Sequence, residues 1–181
     1  VTGVQTCALP ISGAQLSRIT RNALLVRMEN LDEVASVFAA LKGGMSARDR
    51  QWKHIELEAG AVVRPGTGKV VSSMGLALDA SDLAGVARSP ESAGPRILRT
   101  ERGLVIAGTA KADGRNEAVV IGQRLGEDFA RELKDLLQAE ISIAVAGRTV
   151  ASSGDPAPAV EIHPVTTVFA TPGGAEVSVT M

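Results

Sequence analysis

Few side chains in this sequence stand at spacings that could carry out a reaction. His54 and Glu56 are two positions apart and His163 lies far along the chain. A metal or acid–base centre needs several donors converging, about four for a closed zinc shell. The fold would have to bring further Cys, His, Asp or Glu to these residues; otherwise they are ordinary imidazoles and a solvated carboxylate. Gly66-Thr67-Gly68-Lys69 has the glycines that let backbone amides approach a phosphate. It lacks both the full glycine spacing and the Ser or Thr after lysine that would hold a nucleotide-bound metal. Ser152-Ser153 does not sit in a Gly-x-Ser-x-Gly elbow, and no His/Asp arrangement accompanies it. These patterns supply no catalytic residue, no cofactor-binding residue and no metal ligand.

Recognition of a small ligand is the chemistry left open, and three residues are candidates for it. Arg124 follows a glycine-ended apolar run at a strand-to-helix junction, where its planar guanidinium fork could pair with a carboxylate or carbonyl group. Arg148 and Ser152 lie on either side of a short apolar return. Turn geometry and strand hydrogen bonding are the competing roles for those two, and a solvent-facing position is the competing role for Arg124.

The elements that must position them follow from periodicity. From Leu16 to Leu41, Ile19, Leu24, Leu25, Met28, Leu31, Val34, Ala35 and Phe38 recur at steps of three and four, which predicts one broad apolar side on one or two consecutive helices. Gly43-Gly44 is the expected stop. Ala47–Glu58 reads as a short helix or the approach to a strand. Gly60–Gly68 reads as a loop on its glycines and Pro65. Val70-Val71 and Leu76–Leu78 are possible edge elements, and Ser89–Pro95 reads as a flexible stretch.

Beyond this the order sharpens. Leu104–Ala110 and Ala118–Gly122 read as adjacent antiparallel strands around a polar turn containing Asp113-Gly114. Phe129, Leu133, Leu136 and Leu137 recur at helical spacing, with Glu127 and Asp128 at the positive end of that helix. Ile141, Ile143 and Val145 alternate as a strand does, Gly147-Arg148 turns, and Thr149–Ser152 returns. Val160–Ala170 and Ala175–Val179, joined by Thr171-Pro172-Gly173-Gly174, form a terminal hairpin. One mixed or mostly antiparallel sheet with helices on one side would bury these faces.

Composition narrows the class. The chain is 45% hydrophobic and 22% charged, with a formal net charge of −1. It therefore has no general attraction to nucleic acid or anionic lipid. Trp52, Phe38, Phe129 and Phe169 are its aromatic residues, and tyrosine is absent, which leaves little for a base-stacking platform. No apolar run approaches the roughly 18 residues of a membrane span. Residues 1–11 read as the in-frame translation of a sequencing adapter. On that reading 1–12 is a non-native segment and 13–181 a single domain, truncated at one or both ends. The single cysteine, Cys7, falls in that segment, so no disulfide framework is expected.

Three stretches taken together resemble a known family. They are Glu117–Ala130, with its glycine-ended strand and leucine-acidic helix start; Leu136–Ile143; and the return Gly147-Arg148-Thr149-Val150-Ala151-Ser152-Ser153. This half of the chain resembles the PAS-like extracytoplasmic sensor domains of the Cache type, which precede a membrane span in bacterial histidine kinases and nucleotide cyclases. The resemblance implies an α/β (α+β) fold, a mostly antiparallel sheet with a long N-terminal helix and a helix packed on the sheet. It also implies a small-ligand-sensing input domain on the periplasmic face of the inner membrane, anchored through flanking segments. Such a domain has no enzymatic activity of its own and needs no cofactor; its ligand is a small organic acid or other metabolite. Gly126 stands where relatives often carry an aspartate helix cap, and without tyrosine the amine-recognition pattern of some members does not transfer. The alternative is a ligand-independent module that dimerises through its N-terminal helix; a soluble enzyme fragment is a remote third.

Overall fold

The computed structural model describes residues 11–41, 52, 57–88, 94–112, 114, 116–154 and 164–181. Cys7, His54, Glu56, His163, the Gly43-Gly44 stop, Asp113 and most of the segments Ala47–Glu58, Ser89–Pro95 and Val160–His163 lie outside that set.

The first apolar stripe forms one helix, α1 (Gly13–Ala40), of 28 residues. Ser12 caps it: its Oγ accepts the Gln15 amide and the Gln15 side chain accepts the Ser12 amide in return, which satisfies two otherwise unpaired donors. Leu16, Thr20, Leu24, Met28, Leu31, Ala35 and Phe38 face inward, a run of three- and four-residue steps that keeps one side against the core.

Five strands make the first sheet: β1 (Ala59–Val63), β2 (Val70–Gly75), β3 (Ile97–Thr100), β4 (Gly103–Lys111) and β5 (Ala118–Arg124). Their order is β2-β1-β5-β4-β3, and every pairing is antiparallel. Side chains alternate across it. Val62, Leu104, Ile106, Val119 and Ile121 join the core with α1, whereas Val63, Val105, Ala107 and Val120 join a second cluster on the opposite face.

The segment read as a loop from Gly60 is thus strand as far as Val63, and the turn begins only at Pro65. Its small apolar residues suit a strand buried on both faces and hydrogen-bonded on both edges. The second cluster is closed by α2 (Ala80–Arg88), a helix that the periodicity did not announce. Asp79 starts it, accepting the Ser81 and Asp82 amides through Oδ1. The Ser81 hydroxyl, which donates to the same oxygen, is the main influence holding the Asp79 carboxyl below the usual carboxylate range.

The close approach of α1 to β4 depends on Gly108. A Cβ there would stand 2.2 Å from the Leu31 carbonyl carbon, an obstacle made of backbone. Beside it Asp32 Oδ1 accepts the Thr109 amide at 2.6 Å and the Arg96 guanidinium at 2.9 Å. Helix and strand are fastened at this level.

After β5 the chain enters α3 (Glu127–Leu137), with Phe129, Ala130, Leu133 and Leu137 buried. Leu136 was expected in that stripe but is 59% exposed, because the inward arc is filled by its neighbours at positions 133 and 137. A second sheet follows: β6 (Ser142–Val145), β7 (Arg148–Ser152), β8 (Thr166–Ala170) and β9 (Glu176–Thr180), in the order β7-β6-β9-β8. The terminal hairpin is as expected. The single sheet with helices on one side becomes two antiparallel sheets, and the first carries helices on both faces. The non-local pairing of β6 with β9 creates the division. One continuous core runs from α1 through Phe129 and Leu133 to Ile143, Phe169 and Val177 of the second sheet.

Candidate functional site

A cavity of about 640 Å³ opens where β5 passes into α3. Its walls come from both sheets and from α1, with Arg27, Glu58, Arg102, Arg124, Arg131 and Val150 among the lining residues. Arg124, the last residue of β5, is held at the cavity by Glu58 (Nε to Oε2, 3.5 Å) and by the Arg102 carbonyl, to which its Nη2 donates at 3.4 Å. Its side chain remains 47% exposed, so it is placed but not enclosed.

The other three guanidiniums arrive from separate elements. Arg27 projects from the inner side of α1, pairs with Glu132 of α3 and lies 5.0 Å from the Phe129 ring centroid, a cation–π arrangement. Arg131 pairs with Glu127 and Asp128 of its own helix, at the i,i+4 and i,i+3 spacings. Arg102 stands in the β3–β4 turn, whose shape is held by the Thr100 hydroxyl: it donates to the Gly103 carbonyl and accepts the Arg102 amide. No hydrogen bond or ion pair engages the Arg102 guanidinium among the described residues. Gly126, which borders the cavity with Glu127 and Asp128, precedes α3 and offers its first amides no side-chain cap. With Arg102 uncommitted and the other arginines paired one by one, the lining can accept a small anionic or carbonyl-bearing group.

Arg148 and Ser152 are not brought to this cavity. Arg148 is exposed at the start of β7, after a tight turn in which Ala146 and Gly147 both have positive φ. The Ser152 hydroxyl donates to the Gly154 carbonyl at 2.9 Å. Ser153 accepts the Ile141 amide and donates to Glu140. Lys134 first, and then Ser153, hold the Glu140 carboxyl below its usual range. The two serines close the end of the β6–β7 ladder. The Gly66–Lys69 stretch is likewise the turn of the β1–β2 hairpin, with the Arg64 amide donating to the Lys69 carbonyl. Among the described residues no three His, Cys, Asp or Glu side chains gather as a metal shell would require.

Arg27 escaped the sequence reading, yet a signal was present: it sits in the inward phase of α1 between Leu24 and Leu31. Arg102 offered none, since a Thr-Glu-Arg-Gly turn does not reveal which cavity it borders.

No protein-family model matches the chain, and no curated protein matches it. Among solved structures it is similar to the periplasmic domain of Vibrio cholerae LuxQ, with a TM-score of 0.57 and 10% identity over 94% of this chain and 99% of that one. The ligand-binding domain of the Pseudomonas aeruginosa PAO1 amino acid chemoreceptor PctC, in complex with GABA, superposes with a TM-score of 0.41 and 13% identity over 93% of this chain and 96% of that one. The likeness to the LuxQ domain is one of fold: a long N-terminal helix and further helices on curled antiparallel sheets, the PAS-like α/β architecture.

Proposed function

We propose that this chain is a ligand-sensing input domain, working outside the cytoplasm as part of a membrane-anchored signalling protein whose kinase or cyclase output lies in another module. The observation that carries the reading is the arginine-lined cavity at the β5–α3 junction, set in a fold shared with a periplasmic domain. Among the described residues no helix is long and apolar enough to cross a membrane, so anchoring would fall to flanking segments. The start of α1 and the residue after β9 lie close together, since a Cβ on Gly13 would meet Val165 at 3.6 Å and Val165 pairs with Met181. That placement suits two anchors in one membrane plane. A ligand shifts such a domain only by binding one arrangement of its elements more tightly than another. The cavity supplies that possibility by touching α1, α3 and both sheets.

The test is a thermal-shift and calorimetric screen of short mono- and dicarboxylates on the domain, repeated with Arg124→Ala. At least one carboxylate is expected to bind, and the substitution to weaken it by about tenfold, the scale of one charge-assisted hydrogen bond, with an unchanged folded spectrum. Absence of binding by every carboxylate, or equal affinity in the variant, overturns the assignment.

A second reading, pairing of two copies through α1, rests on Val26 and Val37, which are large, exposed and on the same outward side of the helix. The inner stripe is already covered by the chain's own sheets. Mass measured across a concentration series should then rise from monomer to dimer, and a monomer at every concentration removes this reading.

A further inference from the structure

Asp82 of α2 is fully buried, and its carboxylate joins two parts of the molecule. Oδ2 accepts the Arg99 backbone amide at 2.8 Å and the Arg99 Nε at 3.0 Å, binding α2 to β3. Oδ1 accepts the Thr171 hydroxyl at 2.7 Å, the Gly173 amide at 2.9 Å and the Arg99 Nη2 at 3.2 Å. Thr171 and Gly173 belong to the turn between β8 and β9, in the other sheet. One carboxylate thus spans the two sheets at a point remote in sequence from both α1 and α3.

The fit around it is close. A Cβ on Gly85 would lie 2.3 Å from the Pro172 carbonyl oxygen, so the helix tolerates a glycine where a better helix former would strike the turn. The contact is made mainly by polar groups, with half-buried Pro172 against Gly85 as its apolar part. The cluster on the α1 side includes Phe169 and Val177, the cluster on the α2 side includes Leu83 and Val86, and residues 171–174 belong to neither. Beside the contact lies a second cavity of about 520 Å³, bordered by Gly85, Val86, Thr171 and Pro172. The turn is therefore held to α2 by hydrogen bonds and by the single residue Pro172, and has room to move into.

We propose that the Asp82 contact with Thr171 and Gly173 is a releasable latch, which fixes the terminal hairpin to α2 and can open while both sheets stay folded. This does not rest on the sensing proposal. Contacts made of polar groups with small apolar burial open locally at a fraction of the global free energy. The latch has that composition, whereas α1 and α3 join the sheets through the apolar core.

Hydrogen exchange on the whole chain, read residue by residue by NMR, tests it. With Thr171→Val the Gly173 amide should exchange at least about tenfold faster, while amides of β4, β5, β6 and β9 stay within about twofold of wild type. Thr171→Ser, which keeps the hydroxyl, should restore slow exchange. An unchanged Gly173 rate, acceleration throughout both sheets, or a serine variant that behaves like valine each overturns the latch. If the valine variant does not fold, the wild-type protein in low denaturant decides. Exchange at Gly173 insensitive to denaturant supports local opening; exchange that tracks β4 shows one cooperative unit and overturns the proposal.

Discussion

Replacing Phe129 with alanine lowers the free energy of unfolding by about 3–5 kcal/mol, the range for deleting a buried aromatic side chain. Phe129 is almost wholly enclosed and lies in the core shared by α1, the first sheet and the second, so the cavity left behind borders three elements that cannot all close on it. The variant also removes the ring beneath the Arg27 guanidinium, freeing that side chain on the cavity wall. Denaturant unfolding measures the first effect. A loss below about 1 kcal/mol would mean that the N-terminal half of α3 does not pack as described.

The second large effect is expected at Asp82. Asp82→Ala removes the acceptor of four separate groups: the Arg99 amide, the Arg99 side chain, the Thr171 hydroxyl and the Gly173 amide. Breaking a buried pair by deleting one member costs about 3–5 kcal/mol. The low end, about 3 kcal/mol, applies here, because the Arg99 side chain is 30% exposed and can regain water. The buried Thr171 hydroxyl has less access to water and accounts for more of the loss than the amide of exposed Gly173. Unfolding followed by circular dichroism checks the magnitude, and a change within about 0.5 kcal/mol, as for a neutral surface site, would contradict the buried geometry.

Legibility in the sequence followed the strength of each period. The α1 stripe, the inward residues Phe129 and Leu133 and the terminal hairpin were readable because each repeats at about 3.6 or 2 residues, and β4 and β5 because they are unbroken apolar runs bounded by turn residues. The helix α2 was not. Its residues are small, Gly85 lies at its centre, and the reason for that glycine, Pro172, is 87 positions away. The strand β1 was hidden for a similar cause, since alanine and glycine suit a strand buried on both faces but read locally as a loop. The split into two sheets could not be read, because it depends on β6 choosing β9 as its partner. At the cavity, Arg124 was legible from its junction. Arg27 and Arg102 were placed by packing, and Arg148 and Ser152 went to the turn and ladder roles that local geometry alone already explained.

The fastening of α1 at Leu31 and Asp32 lies nearer the C-terminal end of the helix than its start. From Asp32 back to Gly13 the helix rises about 28 Å at about 1.5 Å per residue, so a rotation of about 5° about that point carries its first turn by about 2.5 Å. That exceeds the helix shifts of about 1–2 Å that suffice to repack interfaces in known switches. Leu16, Thr20 and Leu24 hold that end of the rod in the core, so a tilt of this size has to carry with it the strands packed there and the Val165–Met181 pair beside Gly13.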